Sequence, residues 1–143
     1  MKLVALLVFL FIIIHSGFAQ TGPGGIQQTN GSSDLVLWLD ANTINQNNAT
    51  NATNVSSWTD LSGSGNTANA VGGREPVFRT NVKNGFPAVR FTASNTDYLR
   101  IDDDASLKPN DISVIVVGSY TISTSRYSPF LIKTNNYSQW SAG

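Results

Sequence analysis

The sequence predicts an all-β protein, on two observations. Short runs rich in Val, Ile, Leu and aromatic residues alternate with clusters of Asn, Ser, Thr, Gly and Asp, and no window carries an apolar stripe at 3.6-residue spacing over helical length. Where a run alternates, it does so with period two: Val89 and Phe91 are apolar and flank Arg90, as in a strand with one face on a core and one in water.

Two segments precede the first run. Lys2 gives a short positive start, residues 3–14 are an unbroken apolar stretch, and Gly17-Phe18-Ala19 sets small residues at both cleavage-determining positions. Residues 1–19 therefore read as a secretory signal peptide. His15-Ser16-Gly17 interrupts the stretch well short of the roughly 20 apolar residues that a membrane span needs. Export to the cell surface or medium is the expectation, with no membrane span after signal removal. Residues 20–33 form a Gly- and Ser-rich lead without periodicity, and the domain proper runs over residues 34–143.

Strands are expected at residues 35–39, 55–59, 77–79, 88–91, 98–101, 112–120 and 130–133. Residues 112–117 (ISVIVV) are apolar at every position but one, which predicts a central strand covered on both faces. Asn84-Gly85 predicts a hairpin reversal because both residues tolerate positive φ, and Pro87 just after it predicts an edge position, since proline donates no ladder hydrogen bond. Residues 45–54 (NQNNATNATN) read as a polar surface loop. The Asn-x-Ser/Thr triplets at Asn30, Asn48, Asn51, Asn54 and Asn136 are what a chain so rich in these residues produces by composition.

Composition bounds the function. After residue 19 the chain has no His, no Cys and one glutamate, Glu75. Catalytic triads, Cys nucleophiles, His/Cys zinc sites and paired-glutamate glycosidase centres all need side chains that are missing, which points away from an enzyme. Disulfides are impossible. The mature chain carries eight Lys and Arg against nine Asp and Glu, a net charge of −1 with no basic cluster along the sequence, so nucleic acid is not an expected partner.

Four pieces in order carry a resemblance: Leu37-Trp38-Leu39-Asp40-Ala41; residues 55–66 (VSSWTDLSGSGN); Pro87-Ala88-Val89-Arg90-Phe91; and Asp97-Tyr98-Leu99. Together with the lead Gly22-Pro23-Gly24-Gly25, they resemble the N-terminal half of a LamG-like domain of the concanavalin A-like lectin/glucanase superfamily, in the version found in secreted flavobacterial proteins. The resemblance spans residues 22 to about 120 and implies a jelly-roll β-sandwich. It departs in two places. Phe91-Thr92-Ala93 stands where the family usually has a Phe-x-Gly turn. Such domains also need several strands beyond residues 112–120, whereas 23 residues remain here, so the chain is expected to be an N-terminal fragment with an incomplete sandwich.

Candidate site residues follow from chemistry and from the resemblance. Trp38 and Trp58 lie in strand-like segments, where core packing outweighs ligand stacking. The stretch from Asp60 to Asn66 puts oxygen-bearing side chains in a glycine-permitted loop and has two readings: a self-capped turn, which is favoured, or ligands for calcium. If the jelly roll forms as the resemblance implies, Asp97 approaches that loop, and Asp60, Asn66 and Asp97 make a partial oxygen shell. Asp102-Asp103-Asp104 reads as a solvated acidic loop. Tyr120, Tyr127, Tyr137 and Trp140 lie in or beside a polar Ser-rich stretch, where core packing competes with stacking against sugar rings.

The best expectation is a secreted, non-catalytic recognition or adhesion module binding glycans or polysaccharide. The alternatives are a piece of a larger glycoside hydrolase or other exported enzyme, and a ligand-free spacer. Glu75 lacks the Glu-x-Asp-x-(x)-Glu surroundings that glucanases of this superfamily share.

Overall fold

The computed structural model describes residues 22–25, 29, 34–46, 49–121 and 129–133. The chain divides into two units, residues 1–107 and 108–143. Strands in antiparallel sheets dominate the regular structure of the first, so the all-β expectation holds for it. Among the described residues no helix is long and apolar enough to cross a membrane.

One sheet has three short strands, β1 (Ser57–Trp58), β2 (Ala68–Ala70) and β5 (Leu99–Arg100), in the order β1-β2-β5. Ser57 faces Asn69 and Trp58 faces Ala68; on the other side of β2, Asn69 faces Arg100 and Ala70 faces Leu99. The other sheet is the ribbon of β3 (Val77–Lys83) and β4 (Phe86–Arg90), paired Val77 to Arg90, Phe78 to Val89, Arg79 to Ala88 and Lys83 to Phe86, with an irregularity between Arg79 and Lys83. Asn84 and Gly85 close it at φ 52° and 84°, the two positive values that a type I′ turn needs. Pro87 lies in β4, which pairs with β3 alone.

The far edge of β3 is covered by the Asn-rich loop. Ala52 N–H donates to the Phe78 carbonyl (2.9 Å), Phe78 N–H to the Thr53 carbonyl (2.8 Å) and Val55 N–H to the Pro76 carbonyl (2.8 Å). Ala49, one residue before the turn, packs on the core. The loop thus satisfies backbone groups that an open edge would expose.

A helix that periodicity does not reveal, α1 (Ala41–Gln46), follows Asp40. At six residues it is too short to show a stripe. Its start is nonetheless written in the sequence, because Asp40 is an N-cap residue: its Oδ1 accepts from Asn42 N–H at 2.9 Å. Ile44 from α1, Val55 and Phe78 form the buried cluster, with Ala49, Trp58 and Val89 packed against it. Trp58 adds an Nε1–H bond to the Asp40 carbonyl at 3.0 Å, so this tryptophan is a packing residue as its setting predicts.

Three expected strands need correction. Residues 35–39 join no ladder, because side chains take backbone groups that a neighbouring strand would use: the Asp60 carboxylate accepts from Trp38 N–H and the Asn66 amide donates to the Val36 carbonyl. In the second unit, residues 112–120 and 130–133 form no strand. Ile115 is 88% and Val117 97% exposed, the opposite of a doubly covered central strand. Apolar β-branched residues favour an extended chain, but a ladder also needs a flanking strand, and within this unit the described residues supply none.

Without a glycine, the turn after Phe91 is made by two devices. Residues Ala93–Asn95 form a 3-10 turn closed by Thr96 in the left-handed region (φ 56°), and Thr92 N–H donates to Asp97 Oδ2 at 2.8 Å. A β-branched residue at positive φ is strained, and the Asp97 carboxylate holds the turn in place.

Candidate functional site

The most highly organised polar feature is the loop after β1. Asp60, Ser62 and Asn66 are all buried, at 8%, 0% and 4% exposure, which polar groups tolerate only when hydrogen-bonded. Gly63 and Gly65, at φ 87° and 81°, let the backbone fold around the carboxylate. Asp60 Oδ1 accepts from Trp38 N–H (2.9 Å) and Ser62 N–H (2.9 Å). Oδ2 accepts from Ser62 Oγ–H (2.7 Å) and Asn66 N–H (2.9 Å).

Burial raises the Asp60 pKa and is the largest single influence. The bonds from Ser62 N–H, Trp38 N–H, Ser62 Oγ–H and Asn66 N–H together outweigh it and hold the carboxyl below its ordinary value. The group is an anion at neutral pH, its charge stabilised by these four donors.

Asn66 extends the knot. Its Nδ2 donates to the Val36 carbonyl (2.7 Å) and to Ser106 Oγ (2.8 Å). Ser106 in turn donates from both N–H and Oγ–H to Asp104 Oδ1, at 2.8 Å each. The acidic run is exposed, as expected of a solvated loop; Asp104 is also bonded into this chain of contacts, while Asp102 pairs with Arg100 at 3.2 Å.

Of the three expected calcium ligands, the structure brings Asp60 and Asn66 together and ties Asp97 to Thr92. Both Asp60 oxygens already accept two hydrogen bonds, which uses the roughly four acceptor positions of a carboxylate. Among the described residues no three acidic, His or Cys side chains gather as a metal group. The donor set fits a turn and does not fit calcium. The expected result of calcium titration to millimolar concentration is an unmoved thermal midpoint; a midpoint that climbs with concentration would restore the metal reading.

Of the expected sugar-stacking residues, Tyr127, Tyr137 and Trp140 lie outside the described residues. Tyr120 is 49% exposed and meets Phe130 edge-on, with ring centroids 5.6 Å apart at an interplanar angle of 60°. Gly118 lets Phe130 approach: a Cβ there would lie 3.1 Å from the Phe130 ring. Sequence reasoning singled out Tyr120 but not Phe130, whose partnership with it depends on the path of the chain between them.

No protein-family model, no curated protein and no solved structure matches the chain.

Proposed function

We propose that this protein is a secreted, non-catalytic recognition or adhesion module that binds glycans, built on a LamG-like jelly-roll sandwich. The observation that carries the reading is the Tyr120 ring, half-exposed and braced edge-on by Phe130. A half-exposed ring fixed by a neighbour can stack on the apolar face of a pyranose without first losing rotamer freedom. The chemistry of the mature chain agrees, since a binding site for neutral sugars needs aromatic faces and hydrogen-bonding groups but no His, Cys or paired glutamates.

A glycan array tests this. The parent protein is expected to retain a defined set of glycans, and Tyr120→Ala to lose at least ten-fold in affinity for them, with the thermal midpoint unchanged because the side chain is half in solvent. Undiminished binding by Tyr120→Ala would move the site elsewhere. A parent that binds no glycan would leave the spacer reading.

A further inference from the structure

The β3–β4 ribbon gathers positive charge that chain order conceals. Paired residues of a ladder share a face and neighbours alternate, so the register puts Arg79, Lys83, Phe86 and Arg90 on one side. Phe78 and Val89 take the other side, in the core. Lys83 and Arg90 are exposed, and the Phe86 ring is 64% exposed among the cations.

No ion pair among the described residues neutralises this face. No Asp or Glu occurs between Pro76 and Thr96, and none of Arg79, Lys83 and Arg90 makes an ion pair among the described residues. Arg79 Nε is buried with no hydrogen-bond partner. Buried orphan donors are uncommon because each forfeits its hydration without recompense, and diagonal neighbours of like charge such as Arg79 and Arg90 do not stabilise a ribbon.

We propose that this face binds an acidic polysaccharide, with carboxylate or sulfate groups on the two guanidinium groups and a sugar ring on Phe86. Arginine's planar fork matches such oxyanions, and a single aromatic ring flanked by cations matches a charged pyranose. Cations in a row along the strands suit a linear polymer with repeating charge. The choice of polysaccharide rests on the glycan reading above; the site itself is built from ribbon residues and does not use Tyr120.

The test is affinity electrophoresis of the full chain through gels containing polygalacturonate, dextran sulfate or neutral dextran, with R79Q/R90Q, Lys108→Gln and Tyr120→Ala as variants. The parent is expected to be retarded by at least one acidic polymer, less so as salt rises, and the carboxylate and sulfate gels identify the group recognised. R79Q/R90Q should weaken retardation at least ten-fold, while Lys108→Gln, an equal charge loss per residue at a position outside the ribbon strands, and Tyr120→Ala leave it intact. If R79Q/R90Q does not fold, Arg90→Gln alone, at an exposed position, carries the comparison with a several-fold loss expected. Undiminished retardation of the arginine variants overturns the site. Binding to neutral glycans through Tyr120 with no retardation by either acidic polymer overturns this proposal alone and leaves the glycan reading. Equal arginine-dependent binding to phosphatidylserine vesicles or to a single-stranded oligonucleotide overturns the polysaccharide assignment.

Discussion

Asp60→Ala is expected to cost the first unit about 3 kcal/mol or more, a fall in thermal midpoint of roughly 12–24 °C for a domain of this size. The carboxylate is the common acceptor for Trp38 N–H, Ser62 N–H, Ser62 Oγ–H and Asn66 N–H, and its removal leaves several buried donors without a partner at once. Asp60→Asn is the sharper variant. It keeps the volume but turns an NH2 group toward one pair of donors, so it should recover little of the loss. Urea unfolding of both variants measures this, and a loss below about 1 kcal/mol would mean that water replaces the carboxylate without penalty.

The same residue sets an acid dependence. Its folded pKa lies below the unfolded one, so the stability it contributes is fully present above the ordinary carboxylate value of about 3.9 and is lost as pH falls through the folded value. Parent and Asp60→Asn unfolding curves should therefore converge toward low pH. A gap of constant size down to pH 2 would place the effect in packing rather than charge.

Phe78→Ala is the second large effect, expected to cost about 3–5 kcal/mol. Phe78 is fully buried, at 0% exposure, and forms the central cluster with Ile44 and Val55. Its backbone also joins the Asn-rich loop to β3 through bonds with Ala52 and Thr53, so a cavity there loosens the loop as well as the ribbon. Against a net stability of about 5–15 kcal/mol, the variant is expected to be partly unfolded at 37 °C, read as lost near-ultraviolet dichroism. Phe78→Leu should retain most of the fold, because it keeps much of the buried volume. Equal loss in both variants would mean that the ring itself, rather than filled space, is what the core needs.

These two residues show what was legible in the sequence. Phe78 is the middle residue of an apolar-rich run, and its strand and the Asn84-Gly85 reversal follow from local pattern alone. The two-residue turn fixes the pairing of Lys83 with Phe86, but the irregularity between Arg79 and Lys83 shifts the rest of the ladder by two residues, and no local pattern announces that shift. The role of Asp60 was half legible. Its glycine-rich surroundings announce a turn, but its bond to Trp38 reaches 22 residues back along the chain. That same bond is why residues 35–39 look like a strand and are not one. Strand β2 was invisible because Ala68-Asn69-Ala70 has neither β-branched nor aromatic side chains; its neighbours impose the conformation. For residues 112–117 the pattern expressed what a strand needs, and a flanking strand is not a property of the segment itself.

The cationic face escaped linear reading for a related reason. Arg79, Lys83 and Arg90 are spaced too widely to register as a basic run, and a hairpin folds that spacing into one row. Charge that looks evenly dispersed along a chain can be concentrated by strand pairing.

The link from Asn66 to Ser106 spans 40 residues, whereas the β3–β4 ribbon closes through two. Loop-closure entropy grows with separation, so the two features belong to different moments in the life of the molecule. The ribbon can form within microseconds of the chain emerging, from local contacts alone. The Asn66 contact must wait until β5 has docked and residues 104–106 have arrived. Of the two features, it is the one whose closure carries the larger entropy cost.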